Sequence, residues 1–221
     1  MEPHQAIKKY FFEIADIFES YFKKPEDKKL PFQKPEHEWL NYFYNSNIFR
    51  HIHLEYYKTD KICALHLTIL PTPFFDYPIL GFDMIALGNK ITGLFFDITP
   101  TITEYNDLTQ NLIYLNDNIK SQKRPLPEWA DIFSKNFICI SPDIEELPYI
   151  INNIKAYIIG YLSYSDLLLD KYKRNVEIQN KYCQGQKKNE KTFKALIAEV
   201  GKENAQMFFN EYLFPEIKNY A

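Results

Sequence analysis

Two apolar runs carry titratable side chains at every second position: His51-Ile52-His53-Leu54-Glu55 and Leu65-His66-Leu67. In a strand, alternate residues share a face. His51, His53, Glu55 and Tyr57 therefore point one way, while Ile52 and Leu54 point the other with Leu65, Leu67 and Ile69 of the second run. Thr59-Asp60 as a two-residue loop pairs Lys58 with Lys61, which sets His53 across from His66 and Glu55 across from Ala64. Glu55 and His66 are then diagonal neighbours, about 7–8 Å apart at the backbone. A second carboxylate, Asp83, stands in the apolar run Leu80-Gly81-Phe82-Asp83-Met84-Ile85. Apolar surroundings raise a carboxyl pKa, as a proton donor working near neutral pH requires. Imidazoles and carboxyls on one face supply general acid–base chemistry. His53, His66 and Glu55 are equally a plausible ligand set for zinc or iron, although Cys63 points to the other face. A serine hydrolase lacks its Gly-x-Ser-x-Gly elbow here, and no Gly-rich loop encodes a nucleotide site.

The elements that position these groups follow from periodicity. Pro3, then Ile7, Tyr10, Phe11, Ile14, Phe18, Tyr21 and Phe22, predicts a helix that frays into Lys23-Lys24-Pro25. A connector with Pro25, Pro31 and Pro35 leads to the aromatic segment Trp39–Phe43. Strands are predicted over 51–58, 62–70, 79–87, 91–98 and 136–140, with Gly88-Asn89 as a hairpin turn. From Asp143 the pattern becomes helical, over 144–170, 172–184, 191–200 and 203–214, with Gly201 as a stop. A helix, a run of antiparallel strands and then helices predict an α+β sandwich, one sheet with helices on both faces.

Composition narrows the class. The 221 residues fit a single domain over 1–221, and 46% hydrophobic with 25% charged residues is ordinary globular usage. Lys and Arg number 26 against 29 Asp and Glu, a net charge of −3, which gives no support to a nucleic-acid binder. Three separated cysteines, Cys63, Cys139 and Cys183, argue against a disulfide scaffold or zinc ribbon and for a reducing compartment. Charged and polar residues interrupt both the N-terminal helix and the apolar stretch 148–169, so neither a signal peptide nor a membrane span is expected. The departure from average is aromatic: 18 Phe, 17 Tyr and 2 Trp against 6 Gly, suited to a pocket that holds something flat and large.

At this point the ordered segments resemble the ferredoxin-dependent bilin reductases, nearest the branch that makes phycocyanobilin. The matching residues are His53-Leu54-Glu55, Leu65-His66 up to Leu70-Pro71, and Pro78-Ile79-Leu80-Gly81-Phe82-Asp83. They continue with Asp97-Ile98-Thr99-Pro100, Leu126-Pro127-Glu128-Trp129 through Ser134, Tyr182-Cys183-Gln184 through Thr192, and Tyr212-Leu213-Phe214. The resemblance implies a three-layer α/β/α sandwich holding biliverdin IXα between the sheet and the C-terminal helices. It implies no bound cofactor or metal, and a reduced 2Fe–2S ferredoxin giving single electrons through bilin radicals while protein groups give protons. By the same resemblance Asp83, His66 and Glu55 are catalytic, and His53, Asn189, Glu190, Lys191 and Thr92 contact substrate or support those that do. A cytoplasmic monomer is implied, in the host cytoplasm if the source is viral. Basic residues Lys181, Lys187, Lys188, Lys191 and Lys194, or Lys120, Lys123 and Arg124, are the candidates for ferredoxin docking.

The chain departs from that branch at Glu190 (there Asp), Ser141 (there Arg) and Phe82 (there Cys). Shifts of about an ångström can redirect protonation. These changes, a short N-terminus and Lys-, Asn- and Ile-rich usage resemble the marine viral members that make phycoerythrobilin. The expected reaction is four-electron reduction of biliverdin IXα, with phycoerythrobilin via 15,16-dihydrobiliverdin as favoured product and phycocyanobilin as alternative. A non-catalytic bilin carrier is the reading from another class.

Overall fold

The period-two pattern becomes one antiparallel sheet whose faces do different work. A computed structural model describes residues 2–102, 107–164 and 171–218. Among them the strands lie in the order β1 (Glu26–Asp27), β2 (Glu38–Phe43), β3 (Phe49–Lys58), β4 (Ile62–Pro71), β5 (Ile79–Leu87), β6 (Lys90–Thr99), β8 (Ile138–Ser141) and β7 (Gln122–Lys123). Leu54, Leu65, Leu67, Phe82, Met84, Leu94 and Phe96 form a buried apolar face under α1 (Pro3–Tyr21), α2 (Asp107–Asn118) and α3 (Leu147–Ser163). In α1, Pro3 opens the helix, and Ile7, Phe11, Ile14 and Phe18 recur every three or four residues, all buried. The opposite face lies under α4 (Tyr172–Gln186), α5 (Glu190–Val200), α6 (Lys202–Met207) and a π-helical turn, Phe208–Leu213. Trp39, Leu70, Ile79, Tyr182, Phe208, Phe209 and Leu213 make a second, smaller apolar cluster there. The result is the expected α/β/α sandwich of the α+β class.

Register is the main correction. Lys58 pairs with Cys63, so Glu55 stands directly opposite His66, and His53 opposite Thr68. The reason is local. A two-residue hairpin loop needs left-handed backbone, and Thr59-Asp60 offers no glycine; among the described residues only Gly88 and Gly201 have positive φ. The chain instead makes a four-residue turn closed by the Thr59 N–H to the Ile62 carbonyl at 2.8 Å, with Thr59 Oγ1 accepting from the N–H groups of Lys61 and Ile62 at 3.1 Å each. Because the slip is two residues, every side chain keeps its face. At Gly88-Asn89 the two-residue loop does form, with Gly88 at φ 56° and Leu87 paired to Lys90.

Other boundaries differ for physical reasons. The aromatic segment is strand β2, hydrogen-bonded along β3 from Glu38–Lys58 to Phe43–His53. Helix α2 covers residues that the pattern left unassigned. The helix expected over 144–170 runs as Leu147–Ser163; residues 165–170 of that expectation lie outside the described residues. The last helix is α-helical only to Met207, where a wider turn closes with the Phe214 N–H on the Phe209 carbonyl at 3.0 Å. That turn stacks Phe208 on Tyr212 and buries Phe208, Phe209 and Leu213 together against the sheet.

Candidate active site

Strand pairing places Asn41, Glu55, His66, Asp83, Phe95 and Cys139 in one row across the sheet. His66 is the centre of that row. Its Nδ1 lies 2.6 Å from Asp83 Oδ1, and its Nε2 lies 2.8 Å from Thr68 Oγ1, two residues along the same strand. Burial works against a charged imidazole here, but the adjacent Asp83 carboxylate, its hydrogen bond and the Glu55 carboxylate outweigh it, and the pKa rises above the ordinary 6.5. Asp83 itself keeps 39% of its side chain accessible, against 12% for His66. The carboxyl that burial pushes up is that of Glu55, which is 8% exposed and whose pKa reaches about 7. Desolvation is the main cause; the Asp83 charge adds to it, while His66 and the Trp39 indole, whose Nε1–H donates to Glu55 Oε1 at 2.6 Å, hold it back. Two groups whose burial and neighbours raise their proton affinity thus face each other, Glu55 and His66, with the Asp83 carboxylate on the far side of the imidazole.

The neighbouring row is built to stay uncharged. His53 is fully buried, stacked on Phe43 at 4.4 Å with planes 5° apart, and 6.2 Å from the Phe208 ring. Its Nε2 is 3.0 Å from Asn41 Oδ1. An amide oxygen only accepts, so Nε2 carries the proton. Burial, then the His66 and His51 charges, lower the His53 pKa well below 6.5; burial with Arg50 lowers that of His51 to about 3. His53 Nδ1, His51 Nε2 and Asn41 Nδ2 are buried with no hydrogen-bond partner.

The roof is fitted to the sheet. Tyr182 of α4 comes down where Gly81 has no side chain; a Cβ there would sit 3.0 Å from the Tyr182 hydroxyl, which accepts from Gln186 Nε2 at 2.8 Å. Phe133 stacks on Phe137 at 4.0 Å and Phe137 on Phe95 at 6.5 Å, forming an aromatic wall beside Tyr182. Asp97 is buried and accepts from the Ser134 N–H and hydroxyl and from the Thr99 hydroxyl, which anchors the segment carrying that wall.

The remaining predicted positions lie apart from the row. Asn189 caps α5, accepting from the Thr192 N–H at 3.3 Å. Glu190 is 78% exposed and pairs with Lys194, so the structure does not bring it to the cluster; Lys191 is exposed beside it. Thr92 is the extra residue of a bulge between Ile85 and Ala86 on one strand and Gly93 and Ile91 on the other, with its hydroxyl 3.4 Å from the Ile85 carbonyl. Phe82 is in the opposite core and not in the site. Of the docking candidates, Lys187 is held by Glu216 at 2.6 Å. As for a metal, His66 spends both ring nitrogens on Asp83 and Thr68, His53 Nε2 is taken by Asn41 and Glu55 Oε1 by Trp39, and among the described residues no three His, Cys, Asp or Glu converge as a cage. Asn41 is not singled out by the sequence, and Trp39, Thr68 and Tyr182, named there by segment or by sheet face, carry no site role until the structure brings them to the row. The one signal for the first two was that Trp39, Asn41 and Phe43 alternate, which the flanking aromatics Tyr42 and Tyr44 obscure.

The whole assembly has counterparts among known proteins. The chain is 27% identical over 182 residues to phycocyanobilin:ferredoxin oxidoreductase of Prochlorococcus marinus strain MIT 9515, covering 79% of this chain and 76% of that one. Its fold matches phytochromobilin synthase from tomato, solved in complex with biliverdin, at TM-score 0.73 and 16% identity over 94% of this chain and 82% of that one. It also matches a solved PcyX protein at TM-score 0.61 and 20% identity over 95% and 98%. The family model for ferredoxin-dependent bilin reductase matches residues 9–215 and so spans the His66 row, the sheet that presents it and the helices that cover it; the chain belongs to the ferredoxin-dependent bilin reductases.

Proposed function

We propose that this chain, acting as one domain, reduces biliverdin IXα by four electrons to a phycobilin, with reduced ferredoxin as donor. The observation that carries the reading is the row Glu55–His66–Asp83, with a 2.6 Å hydrogen bond from His66 to Asp83 and a Glu55 carboxyl that titrates at about 7. Each electron added to a neutral conjugated tetrapyrrole raises its basicity, and the reduction advances when a proton follows. Glu55 and His66 both keep their protons to higher pH in this fold than ordinary side chains do, and Asp83, the most accessible of the three, is the group we assign to pass one to a ring lying over the row. When His66 is protonated, Nδ1–H donates to Asp83 and Nε2–H to Thr68, so the imidazole can reload the carboxylate without reorienting. His53, kept neutral, fixes the floor rather than giving protons. The aromatic wall and the π-helical turn supply flat apolar surfaces for the ring system. Lys191, exposed at the start of α5 beside Asn189 and Glu190, is the candidate to meet a propionate.

The favoured product is phycoerythrobilin by way of 15,16-dihydrobiliverdin. In that route the D-ring vinyl group survives, and Glu55 orients His66 instead of protonating the vinyl carbon. Phycocyanobilin is the second reading, supported by the names of the curated relatives and by a Glu55 proton held near neutral pH. Anaerobic incubation with biliverdin IXα and a ferredoxin-reducing system, followed by chromatography of the bilins, decides. Phycoerythrobilin isomers are expected; a product with a D-ring ethyl group establishes the second reading, and unchanged bound biliverdin makes the chain a carrier.

A further inference from the structure

Arg124 follows the short edge strand β7, and its backbone N–H bonds to the Cys139 carbonyl at 2.8 Å. Its side chain does not run out into solvent. It folds back over β8 to β6, where one guanidinium nitrogen donates to the Thr92 carbonyl and the guanidinium carbon stands 5.5 Å from the centre of the Phe95 ring. Phe95 is in the same row as His66 and Asp83, so the guanidinium lies on the active face of the sheet. Two neighbours make room for it. Gly93 has no side chain, and a Cβ there would meet the same guanidinium at 3.5 Å and the Phe95 ring at 2.7 Å. Ser141 on β8 is short and turns its hydroxyl to the same Thr92 carbonyl, at 3.4 Å. No carboxylate lies within ion-pair distance of Arg124 among the described residues.

A half-buried arginine held by one carbonyl and an aromatic face, with the rest of its fork unpaired by any acid, is a preorganised receptor for an incoming carboxylate. Gly93 pairs with Ile85, two residues along β5 and one strand over from Asp83, so the backbone that the guanidinium lies against is about 8 Å from that of Asp83 by strand and residue spacing. The propionate of a tetrapyrrole spans that distance while its rings lie over the His66 row. Accordingly, we propose that Arg124 anchors a carboxylate side chain of the substrate and so sets which part of the ring system meets His66 and Asp83. The inference rests on the bilin reading above. It also removes Arg124 from the candidates for ferredoxin docking, since its charge is turned inward.

The test uses binding, not turnover. The purified chain is titrated with biliverdin IXα and with its dimethyl ester, in which both propionates are neutral, and each is followed by the bilin absorption change. The wild type should bind the diacid about tenfold more tightly than the ester, the value of one charge-assisted contact at a partly open site. Arg124→Gln should bring the diacid close to the ester and leave ester binding within about twofold. Arg124→Lys, which keeps the charge and loses the fork, should fall between, and Lys123→Gln, on the exposed neighbour, should keep the full preference. A purely structural role as a clip on Thr92 predicts instead that both ligands weaken equally in Arg124→Gln. That result, or an Arg124→Gln protein that still prefers the diacid tenfold, overturns the anchor. If the wild type binds neither compound, the bilin reading itself fails and the anchor falls with it.

Discussion

Replacing Glu55 by Gln isolates the electrostatic cost of the active row. The wild-type carboxyl has a pKa of about 7 in the fold against an ordinary 4.5. Because the folded value is raised, the native state binds the proton more tightly than the unfolded chain between those two values, and stability falls as pH rises through that window. Below about 4.5 both states are protonated and there is no penalty; above about 7 the penalty is complete. At 1.36 kcal/mol per pKa unit it amounts to about 3 kcal/mol. His66 acts with the same sign. Its raised folded pKa gives stability that is full below its ordinary 6.5 and lost as pH climbs through the raised value. Gln keeps the carbonyl that accepts from Trp39 but cannot ionise, so its own burial cost is the same at every pH. Urea unfolding of both proteins at pH 4.5, 6 and 8 should show the wild type losing about 3 kcal/mol more than Glu55→Gln across the range. The His66 share persists in the variant, reduced by the loss of the Glu55 charge. Parallel curves would mean that Glu55 ionises as an ordinary surface glutamate does, and would remove it as a proton store.

Asp83→Asn should bind biliverdin with near-normal affinity, accept one electron from reduced ferredoxin and then stall, leaving a bilin radical visible by electron paramagnetic resonance; normal product yield would take Asp83 out of the proton path. Lys188 and Lys191 are exposed and in no ion pair among the described residues, unlike Lys187 and Lys194. Reversing both to Glu should slow electron delivery about tenfold at 20 mM salt and much less at 500 mM, where charges are screened within about 5 Å; a salt-independent rate places docking elsewhere. Gly185→Ala would set a Cβ 2.3 Å from Ile132 Cγ2, inside the contact between α4 and the segment carrying Trp129 and Phe133. Thermal unfolding should report a loss of about 1–3 kcal/mol, and an unchanged melting temperature would show that this helix can lift off the sheet freely.

Alternation over 51–58 and 62–70 determined by itself which side chains share the active face, because side-chain period in a strand is fixed by backbone geometry. The two-residue error in hairpin register left His53, Glu55 and His66 on that face for the same reason, and α1 was legible from Pro3 and a clean apolar stripe. Tertiary structure decided who touches whom. The turn at Thr59 depends on side-chain-to-backbone hydrogen bonds that composition does not weigh, and it made Glu55 rather than His53 the partner across from His66. Burial then assigned the proton chemistry: Asp83 sits in an apolar run but on an accessible face, whereas Glu55 lies beneath Trp39, and only the packing of β2 onto β3 creates that difference. Arg124 is remote from the row in sequence and read as surface charge. The sheet order that inserts β8 between β6 and β7 turns it into the active face, since a guanidinium on a long stem reaches back across two strands when a glycine leaves it room.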